Sequence, residues 1–371
     1  MNRRRFHFYF LIVCLPLGLI VSAQNGKAVP DSRMKEIYEE IKTPFKYGLV
    51  IVPKTDSQMV DCPTVFRKNH RWYMSYLVFD GRGYETWLSK SDDLLHWETV
   101  GRILSFSSDT TLWDANQKAG YVGLIDANWG GSYSPKKYNG KYWMSYFGGN
   151  AKGYEAGLLS LGIAYTSKNP STINEWQRVN KPILSSLDKD VRWWENKKQY
   201  KSTVIYDAKK TTGYPFVMYY NANGDTAKDN KQTRWFERIG MAVSNDMVNW
   251  KRFQNEPVVH HPVGITGDPM IQKIGDTWVM FYFGAFWQDR KGAFNRFACS
   301  YDLVNWTDWT GDNLIQPSES FDEKYAHKSF VVKHNGIVYH FYCAVNSKNQ
   351  RGIAVATSKD LGSSKLNFVS N

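Results

Sequence analysis

Asp61 lies two residues before Pro63 and Asp268 directly before Pro269, and each opens a stretch that reads as a β-strand. His327 with Lys328 opens a similar stretch, and Glu195 and Lys201 flank the start of another. Carboxyl and imidazole groups of this kind suit acid–base cleavage of a glycosidic bond. One group gives a proton to the leaving oxygen, and a second activates water or attacks carbon. Clustered carboxylates repel, which raises one pKa and makes a donor at neutral pH. Glu195 follows Trp193-Trp194, where desolvation beside two indoles would raise its pKa too. His327 can act as the donor if a carboxylate keeps it charged. The competing role for Asp61 and Asp268 is to brace a turn. Loop tryptophans Trp129, Trp193, Trp194 and Trp287 suit stacking on sugar faces, and Lys201 and Lys328 would add polar contacts. No Gly-rich phosphate loop, Gly-x-Ser-x-Gly elbow or metal-spaced Cys/His cluster is present, and the isolated pair His260-His261 reads as a loop cap.

These residues are far apart in sequence, so only a particular architecture makes them a site. A repeat supplies it. One half reads Ser-x-Asp-Leu-x-x-Trp or a near relative: Ser91 to Trp97, Ser167 to Trp176, Ser244 to Trp250 and Ser300 to Trp306, with a fifth copy from Ser358 that lacks its tryptophan. The other half precedes each copy and reads as two strands around a tight turn, as at Asn139-Gly140, Gly275-Asp276 and Asn335-Gly336. A short strand follows each tryptophan. Each unit is thus a four-stranded antiparallel sheet, and the recurring Trp97, Trp176, Trp250 and Trp306 pack between units rather than bind sugar.

Five such units predict an all-β chain folded as a five-bladed β-propeller, whose closure removes exposed sheet edges. The last unit runs out of chain after three strands, so residues 44–53 are expected to supply its fourth. Residues 31–43 read as a short helix ahead of the propeller. First strands line the channel of a propeller, and their leading ends converge on one face. The positions to watch are therefore Asp61, then Asp126 and Ser134 in the second unit, Glu195 and Lys201 in the third, Asp268 in the fourth, and His327 with Lys328 in the fifth.

Arg3, Arg4 and Arg5 precede an apolar run ending at Val21-Ser22-Ala23, which reads as a signal peptide over residues 1–23 and an address in the periplasm or outside the cell. Residues 24–43 then form the helical segment and 44–371 the catalytic propeller. The formal charge of +12 comes from scattered lysines and arginines with no basic helix, so nucleic acid is not an expected partner, nor is a membrane once the leader is removed. Cys14 falls within the leader; beyond it, Cys62, Cys299 and Cys343 are an odd number in apolar runs and are expected to be buried free thiols.

On Asp61-x-Pro, Ser134-Pro135 and His327, the chain resembles the propeller enzymes of glycoside hydrolase family 43 and its relatives, family 117 among them. The resemblance implies a carbohydrate substrate, an inverting reaction on a terminal pentose or anhydro-sugar, and Asp61 as general base. Family 43 enters its fourth blade with Glu-Gly-Pro as the acid, where this chain has Gly267-Asp268-Pro269. The family 117 pattern would pair Asp268 with His327 as donor, and Glu195 is the alternative. No cofactor is required by the resemblance, though family 43 members can hold calcium in the channel beside the histidine. Family 130-like phosphorolysis, with Lys201, His327 and Lys328 on phosphate, is a second reading, and a non-catalytic carbohydrate-binding propeller a third.

Overall fold

The computed structural model describes residues 28–225 and 236–369, so the expected leader lies outside the described residues. Helix α1 (Asp31–Ile41) buries Met34, Ile37 and Ile41 along one stripe, and Tyr38 beside that stripe stacks on Trp309 at 5.1 Å. Among the described residues, all other regular structure is β apart from a 3-10 turn at Trp193–Glu195.

After β1 (Phe45–Ile51), a first four-stranded sheet runs β2 (Met59–Lys68), β3 (Arg71–Phe79), β4 (Tyr84–Ser91), β5 (Glu98–Leu104). A second runs β6 (Gln117–Val122), β7 (Tyr142–Gly149), β8 (Ser160–Thr166), β9 (Gln177–Arg178). The rest form one twelve-stranded sheet. It contains β10 (Lys198–Tyr206), β11 (Phe216–Asn223), β12 (Glu237–Ser244) and β13 (Trp250–Arg252), then β14 (Ile265–Ile274), β15 (Thr277–Ala285), β16 (Ala293–Ser300) and β17 (Thr307–Asp308), then β18 (Tyr325–His334), β19 (Ile337–Val345) and β20 (Arg351–Thr357). Its antiparallel runs are linked by single parallel pairs, Glu237 with Ile265 and Ala293 with Tyr325. β1 lies antiparallel to β20, from Phe45 opposite Thr357 to Ile51 opposite Ile353, as the incomplete last unit requires.

The Ser-x-Asp-Leu-x-x-Trp repeat is a self-contained turn. In the third copy with this spacing, the Ser300 hydroxyl accepts the Leu303 N–H at 3.0 Å, and Asp302 accepts the N–H groups of Val304 and Asn305 at 2.9 and 2.7 Å. Leu94, Met247 and Leu303 each sit in the left-handed region, at φ 70°, 68° and 67°, and are fully buried. The indoles of Trp97 and Trp250 donate to the carbonyls of Leu94 and Met247, whereas in the copy at Ser300 the Tyr219 hydroxyl takes the Leu303 carbonyl. Asp302→Ala removes the carboxylate acceptor of two backbone N–H groups and is expected to destabilise by about 1–2 kcal/mol, read from the urea midpoint. An unchanged midpoint would show that Ser300 alone holds the turn.

The second unit departs from expectation. Its first strand is Gln117–Val122, whereas Asp126 and Ser134 lie in the connection from β6 to β7, at the opposite end. Gln117 and Lys118 open this strand. Both are buried because their polar ends are satisfied, Gln117 by the carbonyls of Ala151 and Gly153 and Lys118 by the Ser107 hydroxyl. Asp126 accepts from Asn128 and Ser132, and Ser134 donates to the Arg67 carbonyl, so both brace that connection. Cys62, Cys299 and Cys343 are free and buried, as expected.

Candidate active site

Four first strands carry a bulge near their leading ends, between Asp61 and Thr64, Gln199 and Ser202, Gly267 and Met270, and His327 and Phe330. Aligned on the bulge, Asp61 corresponds to Gln199, Gly267 and His327, while Cys62 corresponds to Tyr200, Asp268 and Lys328. Asp61 and Asp268 are therefore not equivalent. Cys62, Asp268 and Lys328 have φ of 49°, 54° and 63°, a local twist that turns their side chains into the space between strands.

That space is a cavity of about 370 Å³. First strands contribute Cys62, Tyr121, Tyr200, Lys201, Asp268, His327 and Lys328. The ends of second strands contribute Leu77, Phe147, Asn221 and Phe283, and the starts of third strands Tyr84, Glu237, Ala293 and Arg351. Tyr154 and Glu155 enter on the loop from β7 to β8. In an antiparallel meander these three positions share one end of the sheet.

Asp61 is not part of the lining. It is fully buried beneath it, accepting from Lys328 Nζ and Arg351 Nη1 at 2.8 Å each through Oδ2, and from the Cys62 N–H at 2.9 Å through Oδ1. Burial alone would raise its pKa, but Lys328 and Arg351 outweigh burial and hold the carboxyl well below the usual range. Arg351 also donates to the Tyr154 hydroxyl at 3.1 Å. Asp268 faces the cavity with the Cys62 thiol 3.4 Å from its Oδ2. Burial and the Asp61 charge push that thiol's pKa well up, so it stays protonated.

The Glu237 carboxyl lines the cavity. Burial, Glu155 and Asp268 raise it to about 8, and Asn221 Nδ2 donates to its Oε2 at 2.7 Å. Burial also lifts Glu155 above the ordinary glutamate value, while Lys328 and Arg351 hold the rise back. The Glu155 loop is anchored by Lys198 Nζ donating to the Glu155 carbonyl at 2.6 Å and by the Gly153 N–H to the Arg82 carbonyl at 2.8 Å.

His327 lines the cavity but donates Nδ1–H to the Cys343 carbonyl at 3.2 Å, and burial together with Lys328 lowers its pKa to about 3. It is neutral at pH 7 and holds no labile proton of the imidazolium kind. Nor does the site fit a calcium ion. Among the described residues no group of three His, Cys, Asp or Glu side chains is placed to hold a metal, and the Lys328 charge beside His327 opposes a cation.

The remaining expected residues lie elsewhere. Glu195 is fully buried, bound by Arg252 and by the Tyr220 hydroxyl at 2.8 Å. Trp129 donates to Glu40 on α1, Trp194 to the Asn255 carbonyl, and Trp287 stacks on His261 at 3.9 Å while donating to the Ile265 carbonyl. Trp193 is 37% exposed beside Glu256, outside the lining. Trp129, Trp194 and Trp287 are thus packed within the protein with a carbonyl or carboxylate taking each N–H. Tyrosines and phenylalanines wall the cavity instead.

No family model matches the chain. A solved structure named "Glycoside hydrolase" superposes with a TM-score of 0.89 at 52% sequence identity, over 92% of this chain and 99% of that one. The chain therefore belongs to the glycoside hydrolases. A second structure, described as a complex of BT0996 and RGII, gives a TM-score of 0.89 at 53% identity over the same shares. A thermostable family-43 glycoside hydrolase, at 14% identity and a TM-score of 0.56 over 86% of this chain and 98% of that one, shares the fold alone. Beta-1,2-mannobiose phosphorylase of Thermoanaerobacter sp. (strain X514) is 32% identical over 135 residues, 34% of this chain and 42% of that enzyme. The protein is a carbohydrate-active enzyme with an all-β fold of the propeller glycosidase kind.

Glu155, Glu237 and Arg351 of this glycoside hydrolase do not stand at first-strand starts, where sequence reasoning looked. The repeat itself carries a signal for two of them. The first residues of the third strands are Tyr84, Ser160, Glu237, Ala293 and Arg351, so aligning the units at that position sets a carboxyl and a guanidinium in line with the cavity.

Proposed function

We propose that the chain is a five-bladed β-propeller hydrolase that removes a terminal sugar, with Glu237 as general acid and Glu155 as general base. The observation that carries this is the pair of unequal carboxyl groups facing one cavity. Glu237 keeps its proton to about pH 8, while Glu155, also raised by burial, is drawn back down by both Lys328 and Arg351. Glu237 protonates the leaving oxygen. Glu155 takes a proton from the water that attacks the anomeric carbon, inverting its configuration. Asp61 is a positioning residue that holds Lys328 and Arg351, and it has no exposed surface from which to reach water.

Two four-stranded sheets and the three runs of the twelve-stranded sheet support the five-blade count. The lining comes from strand ends on all sides, which favours a pit over a groove and so attack at a chain end. Its volume suits roughly one or two sugar rings. Since a structure 53% identical is described as a complex with RGII, an RGII oligosaccharide is the proposed substrate.

With an activated aryl glycoside or an RGII oligosaccharide, kcat/KM is expected to trace a bell. The basic limb falls near pH 8 as Glu237 deprotonates, and the acidic limb lies above the ordinary glutamate pKa of about 4.3. A profile flat through pH 8 would remove Glu237 from the acid role. A product NMR spectrum showing retained anomeric configuration would make Glu155 the nucleophile instead.

A further inference from the structure

Three cationic side chains line the cavity, and they are not equally satisfied. Lys328 and Arg351 share Asp61. Lys201, one residue past Tyr200 in the β10 bulge, is 2% exposed, and its ammonium has no hydrogen-bond acceptor among the described residues. Its neighbour on the adjoining first strand is Tyr121, whose ring centre lies 5.7 Å from Nζ and whose hydroxyl is likewise without a partner. Asp61 is held by its two cations, Glu237 by Asn221 and Asp268 by the Cys62 thiol, and none of the cavity's carboxylates, Glu155 included, reaches the Lys201 ammonium.

Withdrawing an ammonium from water without an acceptor is costly, more so than leaving a neutral hydroxyl unpaired. Two buried donors side by side, both lacking acceptors, complement a group that brings several acceptor oxygens and a negative charge. We propose that Lys201, with Tyr121, forms an oxyanion subsite, so that the glycoside cleaved here carries an acidic substituent such as a sugar carboxylate. This rests on the glycoside-cleaving reading above. Inorganic phosphate offers the same chemistry, and the test separates the two sources.

Binding of galacturonate, glucuronate, galactose, glucose and sodium phosphate is measured by calorimetry on the full chain, on Lys201→Met and on Lys201→Arg. A charged hydrogen bond predicts that a uronate binds wild type about 10–100-fold more tightly than its neutral counterpart. Lys201→Arg keeps that preference and Lys201→Met abolishes it, with thermal unfolding showing that both variants are folded. If phosphate is the occupant, its binding disappears in Lys201→Met and added phosphate yields a sugar 1-phosphate. That result sustains the subsite while overturning hydrolysis. Wild type binding no anion more tightly than its neutral counterpart, or a preference surviving in Lys201→Met, overturns the proposal. Because the wild-type comparison decides alone, a variant that fails to fold leaves it falsifiable.

Discussion

Glu237→Gln is expected to lower turnover of an oligosaccharide or alkyl glycoside by about 10²–10⁴-fold, the usual share of a general acid. The loss should be far smaller on a dinitrophenyl glycoside, whose leaving group departs without a proton. Asn221 sets this expectation in geometric terms. Its amide donates to Oε2, so the Glu237 proton resides on Oε1, leaving that edge for the leaving oxygen. Glutamine preserves the shape and an acceptor for Asn221, and the basic limb near pH 8 should vanish with the carboxyl. Equal losses on good and poor leaving groups would count against a proton-donor role.

Asp61→Asn is expected to destabilise the protein by about 3–5 kcal/mol, because two buried cations lose the one carboxylate they share. The denaturant midpoint would show it. The folded pKa of Asp61 is depressed, so its contribution is complete above the unfolded aspartate value of about 3.9 and is lost only as pH falls below that toward the folded value. The gap between variant and wild type should therefore be full at neutrality and narrow in acid. A second readout separates positioning from mere support. Asp61 raises the Glu155 pKa, so its removal should move the acidic limb of kcat/KM to lower pH. Were Asp61 the base, the variant would lose turnover at every pH rather than shift the acidic limb.

The strand groups were legible because their signals are local. A serine and an aspartate that cap four backbone N–H groups within four residues must recur wherever that turn recurs, and the buried Leu or Met and its tryptophan recur with it. The partner of residues 44–53 was legible by subtraction, since the last group lacked a strand. The site was legible only in part. Asp268, His327, Lys201 and Lys328 do face the cavity. Asp61 and Asp268 look alike in sequence, yet a one-residue offset within a bulge puts one beneath the cavity and the other in it. Glu155 sits in a glycine-rich loop whose path is set by tertiary bonds from Lys198 and Arg82, which no local pattern announces. The tryptophans misled for a physical reason: large amphipathic rings serve interfaces as well as sugars, and only their N–H partners tell which.

The pairing of β1 with β20 has a temporal consequence. Thr357 meets Phe45 across 312 residues of chain, so this is among the least local contacts in the molecule. During synthesis the strand Phe45–Ile51, with Leu49 and Val50 destined for burial, must wait for a partner made long afterwards. Contacts of such high order close slowly, and the unpaired edge is the nascent polypeptide's most exposed liability to self-association until they do. The order of assembly thus runs opposite to the order of synthesis at this one seam, and a ribosome stalled short of Arg351 would release a product with every other strand group ready and its first strand still unclaimed.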